Sequence, residues 1–336
     1  MKVSELGQFG MIDIVAKMIN EARDNQADSW KNLIDGIGDD CAVWRGETTN
    51  QLAKMDCQVQ GVHFHLDLIT WEDLGWKSLA VNLSDIASMG GIPHYALVSL
   101  GLPLDTEVEN VVSLYRGMLK LAKLSGTAIV GGNMSSSPVI FVDVSVMGST
   151  GNPEGLYLSR SSARPGDKIA VTGWLGTAAA GLEMLSKNLK FDTAITSCLK
   201  QAFAQPEPRL TEGRLLVGKG VKAGMDISDG LLSDLGHICR ASAVGALIEI
   251  ERLPIRPEVK SAFGERSLEM ALSGGEDYQL LFSAQAEIIQ RVRDVSAYPI
   301  TIIGEIAAEN PGQVIAVDNG GKRFLPRKSG WDHFKK

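Results

Sequence analysis

The sequence predicts a mixed α/β protein of two domains, and three observations support that class. At about 150 residues per domain, a chain of 336 residues corresponds to two. In both halves, short apolar segments typical of strands alternate with segments in which apolar residues have helical spacing. Between the halves, residues 148–155 are rich in Gly, Ser, Pro and Asn, as a linker is. We expect an N-terminal domain over 1–150 and a C-terminal domain over 151–336.

The first half has the periodicity of three helices and four strands. Helices are predicted over 9–22, 72–89 and 106–125, and strands over 52–57, 95–102, 127–130 and 139–147. The third helix has the clearest signals: Thr106 and Glu109 form a capping-box pattern, and Gly126 ends the helix. Its expected buried stripe consists of Val108, Val111, Val112, Tyr115, Met118, Leu119 and Ala122. Gly131 and Gly132 predict a turn between the last two strands.

The second half repeats the alternation after the linker. Strands are predicted over 168–172, 222–227, 278–283 and 301–306. Helices are predicted over 177–187, 211–219 and 231–241, with a break at 206–209 that contains two prolines.

Composition excludes several classes of protein. The chain has 33 Lys and Arg against 40 Asp and Glu, a net charge of −7, which argues against sequence-independent binding to nucleic acid. The sequence has no run of about 18 apolar residues that would predict a membrane-spanning helix. The cysteines (Cys41, Cys57, Cys198 and Cys239) form no CxxC pair and fit neither a zinc site nor a disulfide framework. We expect a cytoplasmic protein with reduced thiols.

Five aspartates carry the chemical signal. They lie in loops with Gly or Ser beside them, or at the ends of elements: Asp40, Asp56, Asp85, Asp226 and Asp229. Taken singly, each is better explained by solvation or helix capping. If they converge, two carboxylates about 5 Å apart repel by roughly 3 kcal/mol at an effective dielectric near 20, so a cluster needs cations. Mg²⁺ prefers a few carboxylates together with water and phosphates, which points to a nucleotide-dependent phosphotransferase.

Three other motifs give weaker evidence for a particular kind of site. The segment Gly213–Gly220 resembles a P-loop, but Gly220 stands where Ser or Thr must hold Mg²⁺, and the segment lies within a predicted helix. His63 and His65 share a strand face, yet no third His or Cys lies nearby, so a phosphate contact is as plausible as zinc. Ser228 has no partner base in the sequence, which gives a hydrolase triad little support.

Seven segments, in order along the chain, together resemble the thiamine-monophosphate kinase family of the superfamily that includes aminoimidazole ribonucleotide synthetase. They include GIGDDCAV, GVHF and GGEDY, the last of which contains Glu276. The final segment contains a Gly-Trp pair whose tryptophan is Trp331. In sequence order they cover residues 36–43, 61–64, 76–90, 164–167, 225–231, 274–278 and 330–334. The ordered set is far more specific than any one motif.

The resemblance implies an enzyme that moves the γ-phosphate of ATP onto thiamine monophosphate, giving thiamine diphosphate and ADP. It implies an aminoimidazole ribonucleotide synthetase-like fold, with an N-terminal domain that binds ATP and Mg²⁺ and forms a barrel across a homodimer. The C-terminal α/β domain would complete the nucleotide and substrate sites. The expected partners are ATP, several Mg²⁺ ions, thiamine monophosphate and a second copy, but neither nucleic acid nor membrane.

The resemblance also carries site residues over by position. Those matching magnesium ligands are Asp40, Asp56, Asp85, Asp226 and Asp229. Those expected at the reacting phosphates are Asp56, Asp85 and Asp229. Those matching nucleotide contacts are Gly132, Asn133, Arg160 and Ser228. Those matching substrate contacts are His63, Glu276 and Trp331.

The chain departs from the family pattern at four places, one of which is residues 134–136, where the family has a Thr and an Arg. Asn133 stands where the family has aspartate, and Thr177 replaces another aspartate. Lys54 and Met55 precede Asp56, where family members carry Ser or Thr. Asn133 brings no charge, and Lys54 offsets one negative charge if its side chain points inward, so fewer or weaker magnesium sites are expected. Two alternatives stay open: a related ATP-dependent enzyme with another phosphorylated acceptor, and a non-catalytic nucleotide-binding relative.

Overall fold

The chain folds into two compact units. The structure, a computed structural model, describes residues 1–24, 27–35, 37, 43–46, 48–325 and 330, without the side chains of 8, 9, 35 and 43. Unit 1 comprises Met1–Ile86 and Ile92–Gly155. Unit 2 comprises Ala87–Gly91 and Leu156–Lys336. The change from unit 1 to unit 2 at Gly155 falls at the end of the linker-like segment.

Unit 1 is built around one four-stranded sheet. The helices are α1 (Val3–Glu21), α2 (Asp28–Asn32), α3 (Trp71–Ser88) and α4 (Val108–Ser125). The strands are β1 (Leu33–Asp35), β2 (Val43–Trp44), β3 (Gln51–Val59), β4 (Ile92–Leu102), β5 (Ala128–Ser136) and β6 (Phe141–Ser149). The sheet has the order β3-β6-β4-β5, with only β4 and β5 parallel, and β1 and β2 form a separate pair.

The two faces of this sheet differ. On one face, the central strand β6 buries Val142, Val144 and Val146, and α4 and α1 both contact β5. On the other face, side chains that alternate with these remain accessible, so that Met55 is 59% exposed and Leu97 is 36% exposed. We call the face with the buried valines of β6 the covered face, and the face with Met55 and Leu97 the open face.

Two glycines allow α3 and α4 to pack closely. A Cβ atom at Gly75 would lie 1.8 Å from the carbonyl oxygen of Leu114, and one at Gly117 would lie 1.8 Å from that of Glu72. Neither distance is sterically allowed, so the helix backbones meet where side chains are absent. The contact fixes α3, which carries Asp85.

Unit 2 contains a seven-stranded sheet, seven α-helices and one short 3-10 helix (Ile250–Arg252) in the part of the chain that is described. The helices are α5 (Thr177–Ser186), α6 (Thr193–Ala204), α7 (Leu210–Gly218), α8 (Leu231–Ser242), α9 (Pro257–Phe263), α10 (Arg266–Ser273) and α11 (Ala286–Arg293). The strands are β7 (Lys168–Thr172), β8 (Ala223–Asp226), β9 (Gly245–Glu249), β10 (Leu280–Ala284), β11 (Ile300–Ala307), β12 (Val314–Val317) and β13 (Arg323–Phe324).

The strands β7, β10 and β8 of the unit 2 sheet are buried on both faces. The order of the sheet is β13-β12-β9-β11-β7-β10-β8, and only β12 and β9 run parallel. Strands β8 and β10 are buried along their full length, because one apolar cluster lies under α5, α8, α9 and α10 and another lies under α7 and α11. Asp226 ends β8 and therefore lies at the edge of this core.

Three sequence-based expectations for unit 1 are wrong. Thr106 does not cap α4: the N-cap is Glu107, without a side-chain cap bond, and the N–H of Val108 donates to the carbonyl of Met1. Gly131 and Gly132 form no turn, since β5 continues through them. Val112 and Leu119, which belong to the expected buried stripe of α4, are only partly buried. Leu114 and Leu121, which do not belong to it, are buried.

Several other expectations hold within a residue or two, but α1 begins at Val3 rather than residue 9, β4 begins at Ile92 rather than residue 95, and β5 extends to Ser136 rather than residue 130. Strand β7 has the predicted bounds, α5 and α8 begin at the predicted residues, and Gly126 ends α4 in a left-handed conformation with φ of 70°. No helix in the described ranges is both long and apolar enough to cross a membrane.

Gly117→Ala tests the close packing of α3 and α4. We expect the free energy of unfolding to fall by about 1–3 kcal/mol, because the new methyl group forces the helix backbones apart. The control Leu124→Ala, at a position of α4 that is 75% exposed, should change it by less than about 0.5 kcal/mol. Urea unfolding followed by circular dichroism measures both, and equal effects would refute the packing argument.

Candidate functional site

In unit 1, two of the predicted aspartates come together around a lysine. Asp56 lies on β3 and Asp85 lies near the end of α3. The Lys54 ammonium lies 3.3 Å from Oδ1 of Asp56 and 3.2 Å from Oδ2 of Asp85. Since Lys54 and Asp56 are two residues apart on one strand, their side chains project from the same face. The Lys54 side chain thus points toward the acidic pair.

The charges in this group influence one another. Burial lowers the pKa of Lys54, but the Asp85 and Asp56 carboxylates outweigh it and raise that pKa above its usual value, so the amine is protonated at neutral pH. Burial, together with the Asp56 charge, raises the pKa of Asp143 on β6. Burial also raises the pKa of the Cys57 thiol, with further contributions from Asp143 and Asp56. Negative charge is therefore concentrated along β3 and β6.

Strand register separates Asn133 from the acidic pair. Asp56 pairs with Val144, which pairs with Val98, and Val98 pairs with Gly132, so these residues lie on the covered face. Asn133 on β5 pairs with Ser99 on β4. Since it is the residue next to Gly132 on the strand, it lies on the open face. Gly132 has a steric reason to be glycine, because a Cβ there would lie 1.9 Å from the carbonyl oxygen of Val98.

His63 lies in the turn that follows β3. Its Nδ1 accepts the backbone N–H of Val59 at 3.0 Å, so the neutral ring carries its proton on Nε2. This bond ties the imidazole to the end of β3 and gives His63 a structural role within the turn.

In unit 2, the loop after β8 is held by a buried carboxylate. Oδ2 of Asp234 accepts the backbone N–H groups of Ser228, Asp229 and Gly230 at 3.0, 3.1 and 3.1 Å. Burial, together with the charges of Asp229 and Asp226, raises the pKa of Asp234 to about 7, although the N–H groups of Asp229 and Gly230 oppose the shift. The loop is therefore rigid, while the side chains of Ser228 and Asp229 remain partly exposed.

The loop that precedes β10 is joined to the loop after β8. The N–H of Glu276 donates to the Ser228 carbonyl at 2.8 Å, and the N–H of Tyr278 donates to the Ile227 carbonyl at 2.9 Å. Both donors have left-handed backbones, with φ of 68° and 47°. Non-glycine residues adopt this conformation at a cost, and such strain is concentrated at functional sites. The structure thus brings Ser228, Asp229 and Glu276 together.

Between these two strained residues, Asp277 is buried beneath the first turn of α5. Its carboxylate accepts the N–H groups of Gly176 at 2.5 Å and Ala178 at 3.1 Å. Burial raises the pKa of Asp277 to about 7, although the backbone N–H groups oppose the shift. Asp277 also lines a cavity of about 300 Å³, in which Arg209 stacks 3.7 Å above the Tyr298 ring.

Of the remaining predicted site residues, Arg160 acts on the same side chain as Asp229: burial and the charge of Arg160 lower the pKa of His237, and the charge of Asp229 raises it. Arg160 is exposed in a turn, where its carbonyl oxygen accepts the Ser242 hydroxyl at 2.8 Å. Asp40 and Trp331 lie outside the described residues, so their expected roles are not tested. Within the described ranges, no three His, Cys, Asp or Glu side chains form a group that could hold a metal ion unaided. An ion would need water or ligand oxygens as well, which is how Mg²⁺ usually binds.

Sequence reasoning missed two structural carboxylates, Asp234 and Asp277. A signal existed for Asp234, since an acidic side chain in the first turn of a helix is well placed to accept free N–H groups. Asp277 caps α5 from about 100 residues away in sequence, and no local pattern shows such a contact.

The buried position of Asp277 predicts a pH dependence of stability that Asp277→Asn removes. The folded pKa lies above that of the unfolded chain, so ionisation destabilises the folded state between about pH 4 and pH 7. The stability of the parent chain relative to the Asn variant should therefore fall across that window and level off above it. Urea unfolding at several pH values measures the difference. Asp192→Asn, at the exposed cap of α6, is the control for loss of a cap, and parallel curves for the parent chain and Asp277→Asn would contradict the assignment.

Comparison with known proteins places the chain in a family. It matches the AIR synthase related protein N-terminal domain over residues 38–150 and the C-terminal domain over 164–317. It is 35% identical to the thiamine-monophosphate kinase of Aquifex aeolicus, across 99% of this chain and 100% of the relative.

Two solved structures resemble the chain over most of its length. The thiamine-monophosphate kinase from Stenotrophomonas maltophilia K279a has a TM-score of 0.80 at 32% identity, covering 92% of this chain and 96% of the other. A structure described as "AaThiL complexed with AMPPCP and TMP" has a TM-score of 0.77 at 34% identity, covering 99% of both. These matches confirm the resemblance drawn from the motifs. The chain belongs to the thiamine-monophosphate kinase family, within the AIR synthase related proteins, and has their two-domain fold.

Proposed function

We propose that this protein is a thiamine-monophosphate kinase that transfers the γ-phosphate of ATP to thiamine monophosphate. The observation that carries the proposal is full-length similarity to a protein of this family whose structure contains AMPPCP and TMP. An oxygen of the acceptor phosphate attacks the γ-phosphorus, the bond between that phosphorus and the β,γ-bridging oxygen breaks, and ADP leaves. The products are thiamine diphosphate and ADP.

The chain's own residues suit this chemistry. The acceptor is already an anion near neutral pH, so no strong general base is required and catalysis depends on positioning and charge neutralisation. The rigid loop held by Asp234 keeps Ser228 and Asp229 in a fixed place, and Glu276 is fixed to the same loop. We assign Gly132, Asn133, Arg160 and Ser228 to the nucleotide. We assign His63, Glu276 and Trp331 to thiamine monophosphate.

The donor chemistry fits Mg²⁺. Carboxylate oxygens are its preferred protein ligands, and one or two of them together with substrate phosphates form a usual site. We propose that the ligands are Asp40, Asp56, Asp85, Asp226 and Asp229. When bound, the ions would neutralise charge on the transferring phosphates. Asp56, Asp85 and Asp229 are the side chains that we expect at the reacting groups.

The proposal also covers assembly and location. The open face of the unit 1 sheet has accessible apolar side chains at Met55 and Leu97, and we propose that two copies meet there to close a barrel. An enzyme that uses ATP and has unpaired thiols at Cys57, Cys198 and Cys239 suits the cytoplasm.

The first experiment measures ADP release with ATP, Mg²⁺ and thiamine monophosphate, and identifies thiamine diphosphate by mass. In the same assay, Asp56→Ala should lower kcat by about 100-fold or more, because it removes a carboxylate of the proposed magnesium site. The control Asp105→Ala changes an exposed turn residue of unit 1 and should remain active. Circular dichroism checks that each variant is folded.

Other outcomes separate the alternatives. ADP formation with a different phosphorylated acceptor, and none with thiamine monophosphate, would indicate another enzyme of the superfamily. Binding of ATP without turnover of any acceptor would indicate a non-catalytic relative. An Asp56→Ala variant with normal kcat would remove Asp56 from the metal site.

The dimer is tested by charges placed on the open face. The double variant Met55→Glu, Leu97→Glu should shift sedimentation from a dimer to a monomer, because four carboxylates would be buried in the interface. Leu124→Glu, on the exposed side of α4, should leave the dimer intact. A monomeric parent chain, or a double variant that still sediments as a dimer, would rule out this interface.

A further inference from the structure

We propose that Lys54 is a resident cation of the acidic pair: its ammonium occupies the position between Asp56 and Asp85 that a divalent ion would otherwise take. The protein then needs one fewer metal ion at this place, or binds its weakest ion less tightly. The inference rests on the proposed function, because that proposal assigns Asp56 and Asp85 to magnesium.

The geometry of Lys54 is that of a bridging cation. A single ammonium contacts one oxygen of each carboxylate, at 3.3 Å for Asp56 and 3.2 Å for Asp85. The Lys54 side chain is only one-third exposed and that of Asp85 only about one-quarter, which distinguishes the group from a fully solvated ion pair. The ammonium therefore stands where both acids present their charge.

The sheet offers this pair no other cation directly across the strand. Lys54 pairs with Val146 and Asp56 pairs with Val144, so the neighbouring positions of β6 are apolar. Two carboxylates carry a charge of −2, and Lys54 reduces the charge of the trio to −1. A divalent ion that approached the pair would meet the ammonium and would have to displace it.

The acidic loop of unit 2 is arranged differently. The carboxylates of Asp226 and Asp229 influence a third carboxylate, Asp234, whose own hydrogen bonds go to backbone N–H groups. Backbone N–H groups therefore balance the charge of Asp234 in this loop, whereas an ammonium balances the pair in unit 1. We expect this loop to keep its metal affinity when Lys54 is changed.

The test counts metal ions directly. Mn²⁺ binds the oxygen ligands that Mg²⁺ uses and is paramagnetic, so electron paramagnetic resonance and calorimetry can follow its titration in the presence of AMPPCP. Lys54→Met removes the charge and retains an unbranched apolar stem. It should bind one more Mn²⁺ per chain than the parent protein, or bind the weakest ion about tenfold more tightly.

Two controls separate charge from structure. Lys120→Met breaks another ion pair that involves α3, with Glu72, and should leave the number and affinity of Mn²⁺ ions unchanged. Lys54→Arg keeps the positive charge and should match the parent protein. If Lys54→Met does not fold, Lys54→Ser provides a second charge-removing variant for the same titration.

Unchanged Mn²⁺ stoichiometry and affinity in a folded Lys54→Met or Lys54→Ser variant would overturn the inference and leave Lys54 as a link between β3 and α3. The kinase assay on the parent protein keeps the two proposals apart. An active parent chain with no change in metal binding refutes the role of Lys54 alone. An inactive parent chain whose Lys54 variants gain an ion refutes the kinase reaction and supports Lys54 as the resident cation.

Discussion

The rest of the candidate site depends on how the protein balances carboxylates that lie close together. Unit 1 balances Asp56 and Asp85 with an ammonium, whose distances of 3.3 and 3.2 Å leave it shared between them. Unit 2 stabilises the Asp234 carboxylate with three backbone N–H groups, while burial and the charges of Asp229 and Asp226 raise its pKa to about 7. The two solutions leave different amounts of negative charge for a ligand.

Four carboxylates of unit 2 divide into a buried pair and a partly exposed pair. Asp234 and Asp277 are buried, and each accepts backbone N–H groups at the start of a helix, where the helix dipole favours a negative charge. Asp229 and Glu276 are partly exposed and sit on the loops that the buried pair anchors. Buried acids thus fix the backbone, and the exposed acids next to them are presented in a fixed geometry. An acidic loop without such anchors would be spread by its own repulsion.

The sequence predicted best what depends on local patterns. Strand β7, α5 and α8 were predictable because their apolar spacing and glycine or proline boundaries are contained within the segment. The ordered motifs also identified the family. The cap of α4 was not predictable, because the N–H of Val108 bonds to Met1, more than 100 residues away. The path of β5 through Gly131 and Gly132 depends on pairing with β4, which a single sequence does not reveal. Strand pairing also decides which predicted residues meet, as in the separation of Asn133 from Asp56.

The position of Asn133 gives a physical reason for its departure from the family pattern. Asn133, Ser99 and Asp143 form one row across the open face, in which Asn133 and Asp143 are two strands, or about 10 Å, apart. The charged form of Asp143 is already disfavoured, because burial raises its pKa. Its Oδ1 is also buried with no hydrogen-bond partner in the described part of the chain. An aspartate at position 133 would add a second carboxylate to the row that already contains Asp143, and the two like charges would repel each other. An amide keeps hydrogen-bonding groups there without that repulsion. The substitution therefore lowers the charge of the open face, whereas Lys54 sets the charge of the Asp56 and Asp85 pair on the covered face.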